Sequence, residues 1–224
     1  MKIVIRIGGS VVASPLNVAL IDKYIDLLKS LKHEGHDVAV VVGGGSPARD
    51  FIETAKKLGL SEAEQDLIAI SVSRLIAQLF VLKLAASSTG NVPTSVHAAV
   101  EELKKGKIVV MGGLKPGMTT DAVAALIAEH FHADLLVKAT DQEGVYTCDP
   151  RKYKDAKLLT KLSFEELADR LKENRHKAGI HQVLDPKAIE ILGKIRIKTV
   201  VVNGFNPQNV LLAVKGEKIG TLIT

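Results

Sequence analysis

Unbroken runs of Val, Ile and Leu alternate along the chain with longer stretches whose apolar positions recur three or four residues apart. The runs KIVIRI (2–7), DVAVVV (37–42), KIVVM (107–111), DLLVKAT (134–140) and IKTVVVN (197–203) read as strands covered on both faces. A strand with one wet face would alternate polar and apolar residues instead. A short closing strand is expected at 220. The helical spacing predicts helices over 17–33, 46–58, 61–86, 95–105, 119–131, 163–174 and 185–193. Strand and helix in alternation predict an α/β fold, a three-layer αβα sandwich around a central, mostly parallel sheet. No internal repeat or low-complexity linker interrupts it. The basic stretch DPRKYKDAKLLTK (149–161) is the most loop-like part. Residues 1–224 are read as a single domain, with an N-terminal lobe over about 1–133 and a C-terminal lobe over about 134–224.

Composition narrows the class. Cys148 is the one cysteine in 224 residues, so no disulfide framework exists and a reducing, cytoplasmic setting is expected. The N-terminus MKIVIRIGGS is too short and too interrupted for a signal peptide. The run from 67 to 86 has the length of a membrane span. Arg74, Gln78 and Lys83 sit inside it, so a buried or subunit-facing helix is expected and no membrane partner. The net charge is +5, but the basic residues are dispersed and aromatics make up 4% of the chain. Stacking platforms for nucleic acid are therefore scarce, and a field that attracts small phosphates explains the same charge.

Candidate chemistry lies where strands end. In open α/β sheets ligands bind beyond the carboxyl ends of the strands. Three glycine turns stand at such ends: GGS (8–10), GGGS (43–46) and GGLKPGMTT (112–120). Each precedes a helix, so each is able to aim free N–H groups at an anion. One such turn is explained by the need for positive φ; three at one sheet edge point to several phosphates. No G-x-x-x-x-G-K-[ST] motif is present. Gly43-x-Gly45-x-x-Ala48 matches a dinucleotide fingerprint, but more helix follows where a strand with an acidic end is required. Neither H-E-x-x-H, C-x-x-C nor G-x-S-x-G occurs, and His130 and His132, flanking Phe131, read as a helix end. No protein-built metal site is expected.

IRIGGSV (5–11), VVVGGGSPAR (40–49), MGGLKPGMTTDAVAA (111–125) and KATDQEGVYTCDP (138–150) together resemble the amino-acid kinase family, and within it the archaeal-type uridylate kinases. The resemblance covers essentially the whole chain. It implies transfer of the γ-phosphoryl of MgATP to UMP by a homo-oligomer, typically a hexamer built as a trimer of dimers. By motif, Gly9, Ser10, Gly45 and Arg49 would hold the ATP phosphates, and Thr140, Tyr146 and Asp149 the base and ribose. Gly44, Asp66 and the loop Leu114, Lys115, Pro116, Gly117, Met118, Thr119 and Thr120 would hold UMP. The N-terminal lobe would then be mainly the UMP side and the C-terminal lobe mainly the ATP side. The glycines at 44 and 45 are expected to let the chain pass between two phosphates.

Several positions carry two readings. Asp66 suits a helix start as well as a ribose, and Thr120 suits an N-cap. Tyr146 reads also as a packed loop aromatic. Many family members carry Lys where this chain has Arg6, which either clamps phosphate or points elsewhere. Asp121 and Asp185 are candidates to organise Mg²⁺-bound water or a cationic partner, and Asp185 before Pro186 is equally an N-cap. Lys138 reads as a strand lysine that snorkels. The rival functions are a sister kinase acting on isopentenyl phosphate or acetylglutamate, and a non-catalytic nucleotide- or oxyanion-binding relative.

Overall fold

A computed structural model describes residues 1–174 and 183–224. Strand β1 (Lys2–Ile7) leads into a short helix α1 (Gly9–Val12) and then α2 (Val18–His33). Next come β2 (Asp37–Val42), α3 (Gly45–Lys57), α4 (Glu62–Leu84) and α5 (Val96–Lys104). Strand β3 (Val109–Met111), α6 (Thr120–Phe131) and β4 (Leu135–Thr140) follow. Beyond them lie β5 (Val145–Tyr146), β6 (Leu158–Leu159), β7 (Lys161–Leu162) and α7 (Phe164–Asn174). The chain closes with α8 (Pro186–Ile195), β8 (Lys198–Asn203), α9 (Gln208–Val214) and β9 (Thr221–Ile223).

Seven of these strands form one sheet in the order β3-β2-β1-β4-β8-β9-β7. All its pairings are parallel except β8 with β9. This is the expected αβα sandwich. The strand order reverses direction between β1 and β4, so the crevice of an open α/β sheet opens at their carboxyl ends. The period of two along each strand divides the core. Ile3, Ile5, Ile7, Val137 and Ala139 pack on the face that carries α2, α4 and α9. Val4, Leu136 and Val201 pack on the face that carries α5, α6 and α8. By the same parity Arg6 and Lys138 point toward the α6 face.

Differences from the sequence reading are local. Strand β3 begins at Val109 because Ile108 turns away to bridge Ser88, its N–H donating to the Ser87 carbonyl at 2.9 Å. Helix α4 stops at Leu84, where Ala85 takes φ +51° and starts a single 3₁₀ turn. The segment 149–161 contains β6, which pairs with β5 as a small hairpin. Helix α9 is not anticipated from the sequence: seven residues are too few for helical periodicity to register. Val210, Ala213 and Val214 on it are nonetheless buried in the core.

Helix α4 is long and apolar enough to cross a bilayer by length and composition. It packs instead on α3, α2 and the sheet, burying Ile70, Ile76, Ala77, Phe80, Val81 and Leu84. Lys83 pairs with Asp22 of α2 at 3.2 Å. Its outer face presents Leu67, Leu75, Leu79 and Leu82, with Leu75 and Leu82 each 66% exposed.

Candidate active site

Two glycine turns form the centre of the site, at the ends of β1 and β2. Gly45 has φ +63°, and a Cβ there would run into the Ala13 carbonyl. A Cβ on Gly9 would strike the backbone of Gly45 and Gly43. The turns therefore pack main chain against main chain. That mutual approach, before any ligand is considered, already excludes side chains. The N–H groups of Gly9, Ser10, Gly44 and Gly45 find no acceptor among the described residues and remain available to an anion. Ser14, which the sequence did not single out, ties the turns together. Its Oγ accepts from the Ser46 N–H at 2.8 Å and from Arg49 Nη2 at 3.2 Å.

Beneath the turns lies a buried charged group. Arg6 on β1 and Lys138 on β4 are register partners on adjacent strands. Asp121, in the first turn of α6, receives both. Arg6 Nε lies 2.7 Å from Oδ1, in an ion pair that lacks hydrogen-bond alignment, and Lys138 Nζ donates to Oδ2 at 2.5 Å. Arg6 Nη2 also donates to Thr120 Oγ1 at 2.9 Å. Burial pushes the Asp121 carboxyl up, but Arg6 and Lys138 outweigh it and hold the group below the usual aspartate value. Burial lowers Lys138 to about 8, with Asp121 opposing and Arg6 reinforcing the fall. Lys138 does not snorkel: it is 4% exposed and paired.

A cleft of about 580 Å³ opens above this group. Of the anticipated residues, Arg6, Gly9, Ser10, Gly44, Gly45, Arg49, Thr120, Asp121 and Thr140 line it. So do Lys138, Asp141, Gln142 and Arg151, which the sequence reading left without a role. Asp141 accepts from Arg151 Nη2 at 2.7 Å.

The loop 114–120 is built separately, on α4. Ser73 Oγ accepts from the Gly113 N–H at 2.8 Å. Arg74 donates to the carbonyls of Gly113 and Leu114 at 2.9 and 3.0 Å, so its charge inside the apolar run is satisfied within the chain. Asp66 Oδ2 accepts from the Gly117 N–H at 2.7 Å. The helix-start role belongs elsewhere: Ser61 and Glu64 form the capping box, and Asp66 stands one turn further in. Leu114 and Met118 pack on the α6-side core, while Lys115, Pro116 and Gly117 are exposed.

The cap of α6 is Thr119, not Thr120. Its hydroxyl accepts from the Ala122 N–H at 3.1 Å and donates to Asp185 Oδ2. Asp185 is itself the N-cap of α8, accepting from Lys187 and Ala188 N–H groups, with Pro186 following. Both its oxygens are thus engaged, and it does not line the cleft. Tyr146 and Asp149 also lie outside the cleft lining. Tyr146 is half-buried in the β5–β6 hairpin. Asp149 is buried, with Oδ1 accepting from the Arg151 N–H at 3.0 Å.

Residues 1–203 match the family model described as the amino acid kinase family. The chain belongs to that family. It is 45% identical to the uridylate kinase of Methanocaldococcus jannaschii and 40% identical to that of Methanobrevibacter smithii. Both alignments span the whole chain and 99% of the relative. The crystal structure of uridylate kinase from Archaeoglobus fulgidus superposes with a TM-score of 0.90 at 38% identity, covering all of both chains. The cleft lies above Arg6, Asp121 and Lys138. It offers backbone N–H groups with no acceptor among the described residues, together with the paired cations Arg6 and Lys138, and Asp121 is committed to those two.

Proposed function

We infer that this chain is a uridylate kinase, moving the γ-phosphoryl group of MgATP to UMP to give UDP and ADP. One observation carries the reading. A cleft lined by cations and by backbone N–H groups with no acceptor among the described residues sits beside a loop that α4 grips through Asp66, Ser73 and Arg74, in a chain that matches uridylate kinases from end to end. The UMP phosphate is already an anionic nucleophile, so no general base is required. Catalysis is then alignment plus stabilisation of charge on the moving group.

In this reading Gly9, Ser10, Gly45 and Arg49 bind the ATP phosphates, with Thr140, Tyr146 and Asp149 toward the nucleoside. Gly44, Asp66 and residues 114–120 bind UMP, so the N-terminal lobe is the acceptor side. Arg6 faces the reacting phosphates from the cleft floor, and Asp121 orients it. Asp185 acts at a distance, by capping α8 and holding the Thr119 hydroxyl. Magnesium would arrive on the nucleotide, with phosphate oxygens and water as ligands. This suits a cleft whose lining carboxylates, Asp121 and Asp141, are both already paired with cations. We further propose a cytoplasmic homo-oligomer, a hexamer arranged as a trimer of dimers, with the exposed leucines of α4 as a subunit contact and no nucleic-acid or membrane partner.

The test is ADP release, coupled to a colour change, across UMP, dUMP, CMP, AMP, isopentenyl phosphate and acetylglutamate. UMP should be the best acceptor, dUMP poorer, and the others near background. Equal rates with CMP would remove the uridine assignment. Preference for isopentenyl phosphate or acetylglutamate would make the chain a sister kinase.

A further inference from the structure

Lys138 is the charge that the fold has least reason to keep. It lies in the middle of β4, a central strand whose neighbours Leu136, Val137 and Ala139 are buried. Taking an ammonium out of water there is costly unless it is paired. It is paired, but with a carboxylate that already has a partner. Asp121 gives Oδ1 to Arg6 and Oδ2 to Lys138. Two cations in direct contact share one anion. Arg6 alone would neutralise Asp121, so Lys138 is surplus to the balance. Among the described residues the other charged group that acts on Lys138 is Asp185, ahead of α8, and its oxygens are committed to the α8 cap and to Thr119. Val201, its neighbour on β8, is apolar.

The geometry adds direction. Lys138 spends one N–H on Asp121, and its Nζ meets no other protein acceptor among the described residues. It lines the same cleft as Gly9, Gly45 and Arg49, side by side with Arg6. We propose that Lys138 is a catalytic residue whose ammonium contacts the phosphoryl group in transfer, and that Asp121 is the positioning residue that holds Lys138 and Arg6 together beneath it. The proposal rests on the phosphotransferase reading above. In the step, a UMP phosphate oxygen forms the new O–P bond, and the β,γ-bridging oxygen of ATP keeps the electron pair of the bond that breaks. No proton moves, and Lys138 stays an ammonium throughout. It offsets the charge that gathers on the bridging oxygen and on the equatorial oxygens.

The full-length protein with Lys138→Met and Lys138→Arg tests this. The Met variant should lose on the order of 100-fold in kcat while both KM values stay within about threefold, because the contact belongs to the transition state. By calorimetry, binding of ADP with aluminium fluoride, a mimic of the moving phosphoryl group, should weaken by a similar factor. Binding of ADP alone should hardly change. At pH 7 the thermal midpoint should rise, since a surplus buried charge has gone and Arg6 still pairs with Asp121. Wild-type kcat/KM should fall as pH rises past about 8. The Arg variant, whose guanidinium does not titrate there, should lose that limb.

A Met variant with wild-type kcat and fluoride-complex affinity overturns the proposal. So does one whose kcat falls only in step with its stability, the mark of a structural lysine. If the Met variant fails to fold, the pH profile of the Arg variant decides: an unchanged alkaline limb overturns the role. A wild-type protein that ignores UMP would sink the substrate reading alone. The ADP–aluminium fluoride comparison, run without UMP, still reads Lys138.

Discussion

The Asp66 carboxylate of α4 accepts the backbone N–H of Gly117 at 2.7 Å, bridging 51 residues of chain. It joins a helix of the core to the tip of an exposed loop, and only Oδ2 is used for that bond. The capping box at Ser61 and Glu64 relieves Asp66 of any duty at the helix start. Asp66→Ala should therefore raise the UMP KM by about one to two decades, through the loop and any ribose contact together. The ATP KM should change little and kcat should fall much less. A thermal midpoint within a few degrees of wild type is expected. A destabilised variant with unaltered UMP affinity would refute the role.

Gly45 and Gly117 separate a packed glycine from a merely left-handed one. Both have positive φ, yet a Cβ on Gly117 meets nothing within 4 Å, whereas one on Gly45 meets the Ala13 carbonyl. Gly117→Ala should cost about 1 kcal/mol. Gly45→Ala adds a clash with main chain and should cost roughly 3 kcal/mol or more, with ATP turnover lost as well. Denaturant unfolding of the two variants, side by side, measures the difference. Equal costs would mean that the turn relaxes freely.

The exposed leucines of α4 predict association. Leu75 and Leu82 lie two turns apart on its outer face, and isolated leucines of that exposure rarely gather on one face of a monomer. Light scattering at micromolar concentration should show an oligomer, and Leu75→Glu with Leu82→Glu should dissociate it while leaving the fold intact. A wild-type monomer would exclude the interface.

Stability should respond to pH in an unusual window. Lys138 falls from an ordinary 10.5 to about 8 in the folded chain, so between those values the unfolded state binds more protons than the native one. Stability from this group therefore rises as pH climbs from 8 toward 10.5, and its cost is complete below 8. Lys138→Met should be more stable than wild type at pH 7 by on the order of 2–3 kcal/mol, and the gap should close by about pH 10. Asp121 works in the opposite sense. Its lowered carboxyl contributes stability above the ordinary aspartate range, which is lost as pH falls through its lower folded value. Melts on both proteins from about pH 2 to 10 follow the two trends.

The layered α/β architecture was legible in the sequence because buried parallel strands are local apolar runs and their covering helices repeat with a period of 3.6. The strands at 2–7 and 37–42 match β1 and β2 residue for residue, and the glycine turns stand where the runs end. Short elements escaped: α9 and the β5–β6 hairpin are held by tertiary contacts rather than by their own periodicity. The cause of the glycines also escaped. Gly9 and Gly45 are 36 positions apart, and only the pairing of β1 with β2 brings their main chains into contact. Lys138 reads in sequence as one polar residue in an apolar strand. Its meaning depends on strand parity, which turns it toward α6, and on the parallel register of β1 and β4, which sets it beside Arg6. Asp121 reaches both from a third element. Local patterns carry periodicity and turn chemistry; which distant charges share one carboxylate is decided when the sheet is assembled, because Coulomb energy depends on distance in space and on exclusion of water.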